Sequence, residues 1–485
     1  MRLLHFSALA NTPDSPDPLT VGGVVLYFPG RGYRSKSRVT NINQTLSIEF
    51  MKIVFIGAGS HFFESVLLEI AQTPELHGSK LFLYDIDAER MALIEQVGRR
   101  ISDHFKAGLV LTATQDLPLA LEGADAAISS IGVHGPAFAY HLRDVDAVAA
   151  FGIMQTTGDS VGPSGVSQGL RIIPPYLELA RAMEKYCPDC VLLNHSNPMS
   201  AICRAVSKYS KIKVIGYCHN VAHAISSFAK VLEVEPAELD YSVAGVNHMV
   251  WLLTLRHKGN DIYPELRRRM LESEAAQGLQ FTRELLEVTG LCLVGGDRHI
   301  IEFFPHARKP QTPAEIGYGM KWRANMISEG LVSEELTKAA SNLRARASGK
   351  DPLILPSKMS PEAMGLQIKA LKLGPDKLHV VNVPNCGAVT NVPPWAVMEL
   401  KCVVGMHGAL PVHMGELPAV AARWTLAQIY AHELMIDAAA EGSRQKALQA
   451  LASDPMVRDF GEAAQILDAL VEAQGERLAP FRKSR

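Results

Sequence analysis

The sequence predicts an α/β fold, with an N-terminal Rossmann-like, doubly wound parallel sheet followed by a mixed α+β, helix-rich half. Three observations carry this. The apolar run from Lys52 to Ile56 stops at Gly57-Ala58-Gly59-Ser60, and a helical pattern covers His61 to Ala71. A second apolar run, Lys80 to Tyr84, ends in Asp85-Ile86-Asp87. Short apolar runs then alternate with helical stretches to about residue 245, the rhythm of a parallel sheet with crossover helices.

Residues 1 to 50 do not share this pattern. Pro, Ser, Asn and Thr are frequent, and 7 to 18 has the composition of a disordered tail. The apolar stretch from Val21 to Phe28 lacks a preceding cationic region and a cleavage site, so it is a poor signal peptide. The expected division is therefore a poorly structured, dispensable extension over 1–50, a nucleotide-binding domain over 51–245, and a catalytic and oligomerisation domain over 246–485, with Met51 as the functional start.

Strand, Gly-x-Gly turn and helix make up the dinucleotide arrangement. Gly57 allows the tight turn, Gly59 lets the backbone approach a pyrophosphate, and the helix beyond Ser60 offers N–H groups and partial positive charge. Phe62 stands where the fingerprint's third glycine would be. Asp85, at the end of the second strand, suits the adenosine ribose hydroxyls and selects NAD over NADP. Asp87 reads better as the cap of a helix from Ala88.

A third strand spans Ala124 to Ile131. The stretch from Gln155 to Gly165, with Asp159 among glycines and hydroxyls, reads as a polar loop able to face a sugar, and a helix follows from Gly169. Another strand, Cys190 to Leu193, leads to Asn197-Pro198, where the proline holds Asn197 extended with its amide outward. Ile212 to Tyr217 and Tyr241 to Val246 are strands that stop at Cys218-His219 and Asn247-His248. Loops beyond the carboxyl ends of parallel strands bind ligands, so Cys218 and His248 are expected side by side as metal ligands with open positions left for catalysis. A thiolate favours zinc on softness alone. The alternative is a buried core cysteine and a histidine held by a backbone carbonyl.

Beyond His248 the pattern turns to long helices with irregular joins. Gly295-Gly296-Asp297-Arg298-His299 and Glu302 crowd titratable groups beside an apolar run, behind glycines that mark a closely approached site. Ser360-Pro361 opens a helix that ends near Gly374, and Val380 to Val383 is a strand leading to Asn385. Amphipathic helices over 419–440 and 462–478 are expected to carry a subunit interface, giving a homodimer or homotetramer.

Composition excludes several classes. At 485 residues the chain exceeds a usual single core, and a net charge of −2 gives no case for nucleic acid or an anionic membrane. No apolar run approaches the length needed to span a bilayer. Seven scattered cysteines point to reduced thiols and a cytoplasmic setting, and the lone Cys187-x-x-Cys190 pair reads as core packing.

From Met51 to about Phe481 the chain resembles glycoside hydrolase family 4, the NAD- and manganese-dependent glycosidases. The matching stretches are Ile56-Gly57-Ala58-Gly59-Ser60, Asp85-Ile86-Asp87, Gly158-Asp159-Ser160-Val161-Gly162-Pro163, Asn197-Pro198, Cys218-His219, Gly245-Val246-Asn247-His248 and Asn382-Val383-Pro384-Asn385. The resemblance implies a fold like that of lactate and malate dehydrogenases overall. It also implies a route unlike two-carboxylate glycosidases: NAD takes hydride from carbon 3 of the sugar, a base removes the proton on carbon 2, the glycosidic oxygen leaves by elimination, water adds, and the hydride returns. Cys218 and His248 match the metal positions, and manganese is implied by resemblance alone. Asp297 falls where Asp-bearing members place the base. His219 follows the metal cysteine, where some relatives carry an acid for the leaving group. Asp159 and Asn197 match sugar-hydroxyl ligands, with Asn385 a further one.

The Gly-Asp-Arg-His-x-x-Glu-Phe-x-Pro stretch at 296–305 is most similar to the α-galacturonidase branch, and Arg298 and His299 could pair with a substrate carboxylate. An α-galactosidase, α-glucosidase or α-glucuronidase of the same family is the alternative. Further alternatives are an NAD-dependent sugar dehydrogenase and a non-catalytic sugar and NAD sensor.

Overall fold

The computed structural model describes residues 19–21, 24–26, 50–132, 137–153, 155–304, 318, 331–355, 363–374 and 378–483. Residues 50–485 cluster as one unit, separate from 1–49. Within the N-terminal unit, Leu19–Val21 pairs antiparallel with Val24–Leu26.

Six strands make the parallel half of the main sheet: β1 (Lys52–Ile56), β2 (Lys80–Tyr84), β3 (Val110–Thr114), β4 (Ala126–Ser129), β5 (Val191–Asn194) and β6 (Lys213–Gly216). Their order is β3-β2-β1-β4-β5-β6, all parallel, which is the dinucleotide-binding arrangement with its switch point between β1 and β4. Alternate residues divide between two cores. Ile53 and Phe55 face one, with helices α1 (Phe62–Ala71) and α2 (Ala88–Phe105); Val54 and Ile56 face the other, with α3 (Gly162–Tyr186) and α4 (Met199–Tyr209). Both faces of the inner strands β1, β4 and β5 are covered, so these read as apolar runs rather than alternating ones, whereas the edge strand β3 carries Thr112 and Thr114.

The sheet does not end there. β7 (Leu239–Val246), β8 (Met249–His257), β9 (Asn260–Asp261), β10 (Leu378–Pro384), β11 (Val397–Gly405) and β12 (Gly408–Pro411) extend it in the order β6-β10-β11-β7-β8-β9, with β12 on β11 and every new pairing antiparallel. The change of pattern expected near residue 245 thus falls inside β7. β6 and β7 are not neighbours, because β10 and β11 lie between them. Cys218 and His248 therefore do not follow adjacent parallel strands.

Helix α3 begins at Gly162 rather than Gly169. Pro163 occupies its first turn, where a missing N–H costs nothing, and Gly162 takes φ +74°. Ser164 and Gly165 are thereby drawn into a buried helix instead of a sugar-facing loop. The start expected at Ser360-Pro361 lies outside the described residues; the helix over Met364–Leu373 ends at Gly374 as expected. No helix among the described residues is long and apolar enough to cross a membrane.

Candidate active site

The turn after β1 is built as a nucleotide loop requires. Gly57 has φ +80°, and a Cβ there would lie 2.4 Å from the Ser130 carbonyl oxygen. Asp85 Oδ2 accepts from Gly59 N at 2.7 Å, and Oδ1 from Asp87 N at 2.8 Å. Asp87 caps α2, accepting from Arg90 N at 3.0 Å. His61, at the N-cap of α1, supplies no side-chain acceptor, and the first-turn N–H of Phe62 makes only a long hydrogen bond to Ser60 Oγ at 3.4 Å. Bent glycine loop, uncapped helix and carboxylate at the end of β2 all fit NAD.

A line of hydrogen bonds leads from this loop into a second cluster. Ser130 Oγ donates to Ser60 Oγ (3.0 Å), and Ser196 Oγ accepts from Ile131 N (2.9 Å) and donates to Ile131 O (3.0 Å). Asn197 Nδ2 then donates to Asp159 Oδ2 at 3.1 Å, while Asn197 Oδ1 is buried with no partner among the described residues. Asp159 Oδ1 lies 3.9 Å from His248 Nδ1, and Ser160 Oγ lies 3.3 Å from the same nitrogen. The His248 and His299 rings are 4.1 Å apart.

Asp159, His248 and His299 each offer a ligand atom, and the three atoms lie within 4.8 Å of one another. A divalent ion with bonds of about 2.0–2.2 Å spaces its ligand atoms at up to about 4.4 Å, so a small closing movement of these side chains would seat one. Protonation states agree. Burial, then the adjacent His299 imidazole, holds His248 down at about 3, leaving it neutral as a ligand must be. Burial alone would raise Asp159, but His248, His299 and His141 outweigh it and hold its carboxyl at about 2. Two imidazoles and a carboxylate fit a first-row divalent metal, manganese included.

Two segments are stapled together to make this cluster. Glu302, buried, accepts from Thr157 N at 2.8 Å through Oε1 and from Gly158 N at 3.0 Å through both oxygens. Thr156 Oγ1 donates to the Arg298 carbonyl, and Arg298 Nε donates to Thr156 O at 3.1 Å. The exposed Arg298 guanidinium makes no other hydrogen bond among the described residues. Asp297 opens the short helix α7 (Asp297–Ile300) and anchors helix α6 (Gln280–Thr289), accepting from Phe281 N (2.7 Å), Thr282 N (3.1 Å) and Thr282 Oγ1 (2.5 Å). Burial raises its carboxyl against the pull of these donors.

Cys218 is half-buried at the end of β6 and is not one of the three clustered ligands; His219, exposed, precedes helix α5 (Asn220–Leu232) with its ring 5.0 Å from His223. Asn385 is no sugar ligand. It is fully buried, its amide donating to the carbonyls of Val389, Val392 and Pro393 and accepting from Val389 N, so that it organises its own loop. Glu302 and Glu399 were not singled out as site residues by sequence; each is a buried carboxylate whose partners are remote in the chain.

A model described as family 4 glycosyl hydrolase matches residues 52–234, and that of the family's C-terminal domain matches residues 243–457. The chain belongs to glycosyl hydrolase family 4. An α-galactosidase of Bacillus subtilis is 30% identical over 444 residues, covering 89% of this chain and 100% of that protein. An α-galacturonidase of Thermoanaerobacterium saccharolyticum is 29% identical over 440 residues, covering 84% and 91%. A 6-phospho-α-glucosidase from gut microorganisms, solved in complex with NAD and Mn2+, has a TM-score of 0.73 at 22% identity and covers 88% of this chain and 99% of its own. That likeness establishes the fold of the family 4 enzyme.

Proposed function

We propose that this glycosidase releases an α-linked uronic acid, α-galacturonide foremost, with NAD and a divalent metal, manganese in the first place. The convergence of Asp159, His248 and His299, joined through Asn197 to the glycine loop after β1, is the observation that carries this reading. Bound NAD supplies a hydride acceptor that also returns the hydride at carbon 3, and a bound metal supplies Lewis acidity at the sugar oxygens.

The chain's own residues do the rest. Gly57, Gly59 and Ser60 receive the pyrophosphate, and Asp85 receives the ribose hydroxyls. His248, Asp159 and His299 hold the metal, with the Cys218 thiolate as the family's further donor. Asn197 presents a buried, unengaged Oδ1 to a sugar hydroxyl. Asp297 accepts the proton from carbon 2: its Oδ2 has a single donor, and burial raises its proton affinity. His219 donates the proton to the departing glycosidic oxygen. Arg298, with open guanidinium nitrogens, pairs with the uronate, and the α-galacturonidase relative supports this choice. The α-galactosidase relative, of about equal identity, favours a neutral galactoside as the second reading. A cytoplasmic homodimer or homotetramer is part of the proposal.

The test is hydrolysis of α-galacturonides, α-glucuronides, α-galactosides and α-glucosides in heavy water, with NAD, manganese and thiol present. NAD-dependent deuterium at carbon 2 of released galacturonate is the expected result. Cleavage without deuterium refutes the elimination route, and deuterium in galactose alone refutes the uronide.

A further inference from the structure

We propose that Glu399, together with Ser200, is a positioning residue that locks the Asn247–His248 corner and so presets His248 for a metal ion. The proposal rests on the reading of His248 as a metal ligand. Val246 pairs directly with Met249, which makes Asn247 and His248 the two central residues of the β7–β8 hairpin. Two-residue hairpins favour turns with positive φ at the first central residue, because only those match the twist of the strands. Here the positive φ, 70°, falls on the second central residue, and that residue is a histidine rather than glycine. Such a corner is doubly disfavoured, and it persists only when its surroundings over-determine it.

The surroundings do so. Asn247 N donates to Ser200 Oγ at 2.9 Å, and Ser200 Oγ donates to Asn382 Oδ1 at 3.1 Å. Asn247 Nδ2 donates to Glu399 Oε2 at 2.8 Å. On the far side the His248 carbonyl rests against Gly295, where a Cβ would lie only 2.7 Å away. Glu399 stands level with Gly245 on β7 and Asn382 on β10, so its carboxyl is carried by three registered strands. It is 1% exposed, and so acts through Asn247 rather than on bulk solvent. Burial pushes Glu399 up to about 7, which lessens the cost of keeping a carboxyl here.

The experiment measures the manganese dissociation constant of the full chain by electron paramagnetic resonance of free Mn2+. NAD affinity is measured in parallel by calorimetry. Wild type is compared with His248→Ala, Glu399→Ala, Glu399→Gln and Ser200→Ala. Loss of binding in His248→Ala establishes the ligand. Glu399→Ala is expected to weaken manganese about 10–100-fold, as removal of an outer partner of a metal ligand does, while NAD affinity stays unchanged. Glu399→Gln keeps an acceptor for Asn247 Nδ2 and should restore most of the affinity; Ser200→Ala should weaken it alone if Glu399→Ala does not fold. Manganese binding unchanged in Glu399→Ala or Ser200→Ala overturns the inference, as does equal loss of manganese and NAD. Manganese binding unchanged in His248→Ala overturns the metal reading beneath it.

Discussion

The imidazole of His248 makes stability depend on pH in a way that one substitution isolates. Burial, then His299, holds it at about 3 in the folded chain, against 6.5 for a free histidine. Below pH 6.5 the unfolded chain takes up a proton that the folded chain refuses, so stability falls as pH falls from about 6.5 toward 3. Fully developed, the difference is about 5 kcal/mol, and at pH 4.5 it is about 3 kcal/mol. Asp159, held at about 2, stays ionised at pH 4.5 and adds little. The assay is urea unfolding of metal-free protein at pH 8 and pH 4.5, wild type against His248→Asn. Asparagine tolerates the positive φ and does not titrate. Wild type should lose about 3 kcal/mol more than the variant over this interval. Parallel profiles would refute the buried, neutral imidazole.

Four further outcomes are expected. Gly57→Ala, whose Cβ would meet the Ser130 carbonyl at 2.4 Å, should abolish NAD binding by calorimetry. Glu302→Ala leaves two buried N–H groups without an acceptor and should cost about 2–4 kcal/mol in denaturant unfolding, with weaker manganese binding. Arg298→Ala should raise KM for an α-galacturonide about tenfold or more and leave that for an α-galactoside unchanged. Asp297→Asn should lower kcat about 10²–10⁴-fold and remove carbon-2 exchange, while thermal unfolding shows a loss of about 1 kcal/mol for the weakened α6 anchor.

Five of the six strands of the parallel half were legible as short apolar runs between turn residues; Val110–Thr114, an edge strand carrying Thr112 and Thr114, was missed, so that Ala124–Ile131 was counted third instead of fourth. Lys52–Ile56 and Lys80–Tyr84 fall where the pattern places them. Asp87 as the α2 cap and Gly57 as the strained turn residue follow from local chemistry alone. β8 was missed because Met249–His257 follows β7 through a two-residue corner that carries no glycine, and β11 because Val397–Gly405 is placed against β7, a strand distant in sequence. Asp159, His248 and His299 could each be picked out by type and neighbours. That His299 joins a ligand set depends on a distance between segments far apart in the chain, which no local pattern carries. Asn385 shows the converse: a polar side chain after a strand looks like a binding group until its backbone partners are seen.

The order of strands also sets an order in time. A nascent chain that has emerged through β6 holds every strand of the nucleotide-binding half in sequence, and each pairs with a neighbour already made. The β7–β8 hairpin emerges next but has no place beside β6, because the two strands that must separate them, β10 and β11, are still unsynthesised. Glu399, which grips the His248 corner, arrives with β11. His248 therefore cannot reach its final setting until β11 is made, and the strands of the nucleotide-binding half wait in turn for the C-terminal helices that complete their core.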